Sequence, residues 1–214
     1  MNIISFYTDQ RYKTLCKTLK ASTDRFGHIL HSKFANNCKT WPEAIKFKPL
    51  YILSMYQKLG GPLLYLDADC ELKKQITYIE QLGTTFDVCL RRRDLHDTYN
   101  CGVMYFGPNK DKIIPLLRTW IEYLNDDPYS TITVDQKPFE KALQKHSDIL
   151  IGNLTYEYNY LPADVLSHDP NSAVIKHYKE SKINEKADDW RIAFFKKYPK
   201  EKKRLRKPKK RDKK

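Results

Sequence analysis

Glycine is scarce in this chain, with 7 copies in 214 residues, while tyrosine alone contributes 15. That balance, with 41% hydrophobic and 13% aromatic residues, excludes collagen-like or low-complexity organisation for the chain as a whole. No apolar run reaches the roughly 18 residues that a membrane-crossing helix needs. The N-terminus passes straight into Asn2-Ile3-Ile4-Ser5-Phe6-Tyr7 with no basic region before a long apolar run, so neither a secretory signal nor an N-terminal anchor is expected. Cys-x-x-Cys pairs are missing as well: Cys16, Cys38, Cys70, Cys89 and Cys101 are dispersed and odd in number. Zinc-finger and disulfide-framework readings fail on that spacing. Reduced thiols in the cytoplasm are the expectation.

Charge is abundant but unevenly placed. Residues 196–214 hold 13 Lys or Arg against Glu201 and Asp212, which accounts for +11 of the formal +13 and leaves +2 for residues 1–195. The expected organisation is a nearly neutral domain over 1–195 and a basic tail over 196–214 that cannot bury an apolar face and is expected to be disordered or solvated. Clustered Lys and Arg attract polyanions without regard to sequence, so a non-catalytic, polyanion-binding role through the tail stands as one alternative.

The body alternates strand-like and helix-like segments. Ile3–Tyr7 and Ile29–Leu30 read as short strands, with a helix between them carrying Tyr12, Leu15, Cys16 and Leu19 at i, i+3, i+4 and i+7. A helix is expected over Pro49–Leu59, stopped by Gly60-Gly61. Leu63-Leu64-Tyr65-Leu66 is too short for a helix and reads as a central strand buried on both faces. Further helices are expected over 76–82, 111–125 and 135–145, and further strands over 87–90, 101–106, 149–151 and 173–176. The pattern predicts an α/β fold: a mostly parallel sheet flanked by helices.

Asp67-Ala68-Asp69 follows the central strand directly. In extended geometry residues i and i+2 share a side, so the two carboxylates are expected to face one point. Such a pair repels unless a proton or a cation lies between the partners. An oxygen-seeking divalent ion, Mn²⁺ or Mg²⁺, resolves the conflict, and the carboxyl end of a strand is where an open α/β sheet binds ligands. The plainer reading is a pair of turn-capping carboxylates.

Leu64-Tyr65-Leu66-Asp67-Ala68-Asp69 resembles the Asp-x-Asp strand of GT-A glycosyltransferases, and is most similar to the branch holding glycogenin and the lipopolysaccharide galactosyltransferases. The resemblance implies a GT-A (Rossmann-like) fold and transfer of a sugar, with retention, from a UDP-sugar donor to an acceptor that the sequence does not specify. It implies that Asp67 touches the nucleotide and the metal, and that Asp69 holds the metal. Thr8, Asp9 and Tyr12 resemble nucleotide contacts, although Tyr12 also belongs to its helix's apolar set. Lys48 resembles a lysine near the donor; an exposed surface lysine is the other reading.

Asn100-Cys101-Gly102-Val103 is similar to the family's Asn-Ser-Gly-Val segment, which makes Asn100 a sugar contact and Gly102 a point of close backbone approach. Val134-Asp135-Gln136 resembles the Asp-Gln pair near the reacting centre; Asp135 also suits a helix N-cap, and is the first candidate for a base should transfer invert. His177 closes Ala173-Val174-Ile175-Lys176 and resembles the third metal ligand. The family follows this histidine with His-x-x-Gly-x-x-Lys; this chain has no glycine there, and Lys182 comes one residue early, with Lys179 as the alternative grip on the diphosphate. Acceptor recognition is expected in loops, around Arg91-Arg92-Arg93 or Asn153–Tyr160. The remaining alternative is a haloacid-dehalogenase-like phosphohydrolase, which also places Asp-x-Asp after an apolar strand but continues with Gly-Thr, whereas this chain continues with Cys70-Glu71.

Overall fold

Ile3-Ile4-Ser5-Phe6 are all buried, which is what an apolar tetrapeptide needs in a strand covered on both faces. The strand extends over Asn2–Tyr7 (β1) and leads into helix α1, Gln10–Arg25. The computed structural model describes residues 1–82, 85–93, 98–126, 135–161 and 169–178, and Met1–Tyr178 form one compact unit. Lys182 and the basic tail lie outside the described residues.

The remaining elements follow in order: β2 Ile29–Phe34, α2 Trp41–Leu59, β3 Leu63–Leu66, β4 Cys70–Leu72, α3 Thr77–Leu82, β5 Val88–Arg93, β6 Thr98–Phe106, α4 Lys110–Asp126, α5 Gln136–Lys145, β7 Ile151–Asn153 and β8 Ile175–His177. Six strands form one sheet in the order β2-β1-β3-β6-β5-β7, and β4 pairs with β8 in a small second sheet. β1 pairs in parallel with both β2 and β3, β5 pairs in parallel with β7, and β6 runs antiparallel to β3 and β5. The α/β expectation with a mostly parallel sheet holds.

Alternate residues of the strands feed two cores. Ile4, Phe6, Leu63, Tyr65, Leu90, Met104 and Phe106 pack with Ile52 and Tyr56 of α2, Ile113 and Trp120 of α4 and Phe139 of α5. Ile3, Leu64, Leu66, Cys89, Val103 and Tyr105 pack on the other face with Leu19, Ile79, Leu72 and Ile175. Burial on both sides explains why the strands read as continuous apolar runs.

The chain leaves β1 toward β2 on one side and returns to β3 on the other. The carboxyl ends of β1 and β3 therefore flank the reversal point of the sheet, where open α/β folds bind ligands.

One boundary differs from expectation in a way that matters. Helix α2 starts at Trp41, eight residues before Pro49, because Thr40 and Glu43 form a reciprocal capping box and Pro42 occupies the first turn. Pro49 lies inside the helix, and Lys48 is therefore a helical residue rather than one that precedes it.

Candidate active site

Strand β3 ends at Leu66, and the chain turns at once. Cys70 N–H donates to Asp67 O at 3.0 Å, closing a turn over Asp67-Ala68-Asp69-Cys70. Asp67 N–H donates to Gly102 O at 2.9 Å, which ties the turn to β6. The two carboxylates thus converge through a turn, not through the extended alternation expected from the sequence.

β4 then starts at Cys70, whose register partner on β8 is His177. This small sheet brings the imidazole to the acidic pair: His177 Nε2 lies 3.2 Å from Asp69 Oδ1 and 3.6 Å from Asp67 Oδ2. His177 and Asp69 are buried, whereas the Asp67 side chain keeps 26% of its exposure and opens the group outward.

These donors fit a hard divalent ion. An octahedral ion with bonds of about 2.1 Å places adjacent ligand atoms roughly 3 Å apart, close to the separations seen. Burial disfavours charge on His177, but Asp69 and then Asp67 outweigh it and hold the imidazole above its usual titration range. The acidic pair therefore recruits positive charge here, as a proton or as a cation. Cys70 Sγ lies in the same cluster with Asp69 and His177. Its thiol is pushed well above the usual range by burial, then by Asp69 and Asp67, and donates to Gly102 O at 3.7 Å. A hard divalent ion prefers oxygen to sulfur donors, so Asp67 is a better match for such an ion than Cys70.

Gly102 reaches the cluster through an irregularity in β6. Leu90 pairs with Met104, but Arg91 pairs with Asn100, so Cys101-Gly102-Val103 bulge away from β5. Such a bulge re-aims a strand beside a site. A Cβ on Gly102 would come within 2.4 Å of His177 Cε1 and 3.0 Å of Asp67 Oδ2. Asn100 is buried, and its Oδ1 accepts from Gly102 N–H at 2.8 Å, so its amide oxygen shapes this turn.

Lys48 is not an exposed surface lysine. From inside α2 its buried ammonium donates to Asp135 Oδ2 at 2.6 Å and to Cys101 O at 3.3 Å, and sits 3.2 Å from Asp67 Oδ1. Burial alone would lower its pKa; Asp135 and then Asp67 reverse that, and the ammonium is held charged. Asp135 occupies the N-cap position of α5 but makes no side-chain capping bond, because its carboxylate turns to Lys48 instead. Its carbonyl accepts from Trp120 Nε1 at 3.2 Å, fixing the start of α5, where Gln136 is the first residue.

At the end of β1, Asp9 does cap α1, accepting from Tyr12 N–H at 2.9 Å. The Tyr12 phenol is pushed well up, first by burial and then by the charges of Asp69 and Asp67. Thr8 precedes this cap and is half-buried. Thr8, Asp9, Tyr12, Asp67, Asp69, Asp135, Gln136 and His177 lie at strand ends, turns and helix starts, whereas Lys48 comes from the interior of α2 and Asn100 from β6 beside its bulge. Lys182 falls outside the described residues.

Two residues were not singled out from sequence. Tyr65, on β3, donates its hydroxyl to Asp67 Oδ1 at 2.7 Å, just past the strand's end. Tyr178 N–H donates to Asp69 O at 3.0 Å, holding the turn from β8. The arginine run lies on strand β5, not in a loop: Arg91 is buried and donates from its guanidinium to Asn159 O at 2.8 Å, while Arg92 is exposed.

No protein-family model matches the chain, and no curated protein matches it in sequence. Solved structures do match. A glycosyltransferase involved in the glycosylation of the major capsid of PBCV-1 superposes with a TM-score of 0.66 at 12% identity, over 89% of this chain and 98% of that one. The galactosyltransferase LgtC, in complex with donor and acceptor sugar analogs, gives a TM-score of 0.55 at 15% identity over 92% of this chain and 94% of its own. The fold is the GT-A glycosyltransferase fold. The glycosyltransferase GlyE of Streptococcus pneumoniae TIGR4 also matches, with a TM-score of 0.56 and 14% identity over 94% of this chain and 63% of that one. No helix among the described residues is long and apolar enough to cross a membrane.

Proposed function

We propose that the protein is a metal-dependent glycosyltransferase that moves a sugar from a UDP-sugar to an acceptor, with retention at the anomeric carbon. The reading rests above all on the convergence of Asp67 Oδ2 and Asp69 Oδ1 on His177 Nε2, at the reversal point of a GT-A sheet. Asp67, Asp69 and His177 are the residues that would hold Mn²⁺ or Mg²⁺. Such an ion supplies Lewis acidity toward a departing diphosphate.

The chain's own groups do the rest. Thr8, Asp9 and Tyr12 border the nucleotide end, with the Tyr12 phenol kept protonated and able to donate. Gly102 leaves room beside the metal ligands. Asn100 shapes that turn through its amide oxygen and lies next to the sugar. Asp135 and Gln136, at the start of α5, orient the reacting groups and the acceptor. Lys182 would add positive charge at the diphosphate. Preformed dipoles and charges of this kind stabilise the developing charge because they need no reorganisation, and fixed geometry converts a bimolecular transfer into an effectively unimolecular one. The free, buried cysteines fit a reducing compartment, and we place the protein in the cytoplasm.

The test is to incubate the full chain with a panel of UDP-sugars and Mn²⁺ and to measure UDP release and acceptor glycosylation. Release should stop with EDTA and return with excess Mn²⁺. Turnover indifferent to EDTA contradicts the metal role; no turnover or binding with any UDP-sugar contradicts the donor class.

A further inference from the structure

Asp67 is the ligand whose two oxygens are treated differently. Oδ1 accepts the Tyr65 hydroxyl at 2.7 Å and lies 3.2 Å from the Lys48 ammonium, whereas Oδ2 faces His177 Nε2 at 3.6 Å. Oδ1 thus carries one hydrogen bond and one ion pair from protein groups. Lys48 is engaged as well: its ammonium donates to Asp135 Oδ2 at 2.6 Å and to Cys101 O at 3.3 Å, and pairs ionically with Asp67 Oδ1 at 3.2 Å. Its side chain keeps 10% of its exposure. Tyr65 has no freedom either: its ring is 1% exposed, lies in the apolar core and sits beneath the ammonium, 5.3 Å from centroid to Nζ.

We infer that Tyr65 and Lys48 are a positioning pair that engages Asp67 Oδ1 and presents Oδ2 alone to the cation, so that Lys48 acts on the site through Asp67 and Asp135 and not by touching the donor. The inference rests on the metal-site reading above and revises the role that the resemblance implies for Lys48. Partners that orient a ligand matter to metal affinity almost as much as the ligands do.

The experiment is a Mn²⁺ titration of the full chain, followed by electron paramagnetic resonance, for wild type, Tyr65→Phe, Asp67→Asn, the double variant and Asp69→Asn. Tyr65→Phe keeps the buried ring, so a thermal melt should confirm a native fold. Its Mn²⁺ affinity should fall about tenfold. Asp67→Asn should lose more, and adding Tyr65→Phe to it should lose nothing further, because the hydroxyl acts through that carboxylate.

Tyr65→Phe binding as wild type does, in a chain where Asp69→Asn abolishes binding, overturns the positioning role and leaves the metal site standing. A wild type that binds no Mn²⁺, or an unaffected Asp69→Asn, overturns both. Lys48→Met tests the second half at saturating Mn²⁺ with UDP as the probe: affinity for UDP should stay within about threefold, whereas a loss of about tenfold or more, the size of a charged hydrogen bond, would make Lys48 a diphosphate ligand. Should Lys48→Met fold poorly, the Tyr65 cycle still decides.

Discussion

At the scale of single residues, the site depends on what is small as much as on what is charged. Gly102 is required by contact, not by its backbone angle. Alanine there must displace His177 or Asp67, since its Cβ would lie 2.7 Å from His177 Nδ1 and 3.0 Å from Asp67 Oδ2. Gly102→Ala should therefore cost about 1–3 kcal/mol of stability and weaken Mn²⁺ binding, which a urea melt and a Mn²⁺ titration measure side by side. Asp69→Asn should leave the fold intact and reduce UDP release at least about a hundredfold, the scale of losing a principal electrostatic stabiliser. Nucleotide release under saturating Mn²⁺ checks it, and full activity would remove Asp69 from the metal.

Elements carry these residues to their places, and two helix starts matter most. The capping box of Thr40 and Glu43 sets where α2 begins: Thr40 Oγ1 accepts from Glu43 N–H at 3.4 Å, and Glu43 Oε2 accepts from Thr40 N–H at 2.8 Å. Thr40→Ala should cost about 1 kcal/mol, seen as a lower denaturant midpoint at unchanged slope. The start of α5 is held from α4 by Trp120, which is fully buried against Phe139, 4.7 Å between ring centroids. Trp120→Phe keeps most of the apolar contact but removes the bond to Asp135 O. A loss of about 1–3 kcal/mol is expected, with a fall in transfer rate beyond any effect on UDP binding, because Asp135 and Gln136 begin α5. Equal falls in rate and UDP affinity would assign Trp120 to packing alone.

On the scale of the whole molecule, pH dependence draws together groups far apart in sequence. His28 is held below its usual range by burial and then by the Met1 ammonium, 3.5 Å away, against the opposing pull of Glu80 and its bond to Gln75. The unfolded chain thus binds the proton more readily. Its contribution to stability is fully present above the unfolded value, about 6.5, and is lost as pH falls through the lower folded value. His28→Gln should lessen the drop in Tm between about pH 7.5 and pH 5 relative to wild type. Parallel melts across that range decide it; identical curves would show that other groups govern acid sensitivity.

Much of this was open to reading in the linear chain. The apolar tetrapeptide ahead of Asp67, the helical spacing over α1 and α4 and the cationic end follow from local composition and period, which encode burial directly. Those patterns sufficed for an α/β sheet with acids at a strand end. They said nothing about which polar groups meet. His177 reaches Asp69 because β8 pairs with β4, a three-residue strand without a period of its own. Lys48 meets Asp135 across 87 residues of sequence because α2 and α5 share one face of the sheet. Even the joining of Asp67 and Asp69 came from a turn and a bulge opposite it, not from strand alternation. Hydrophobic period is a property of neighbours in sequence; the pairing of distant charges is set by strand order and register, and only the folded chain carries those.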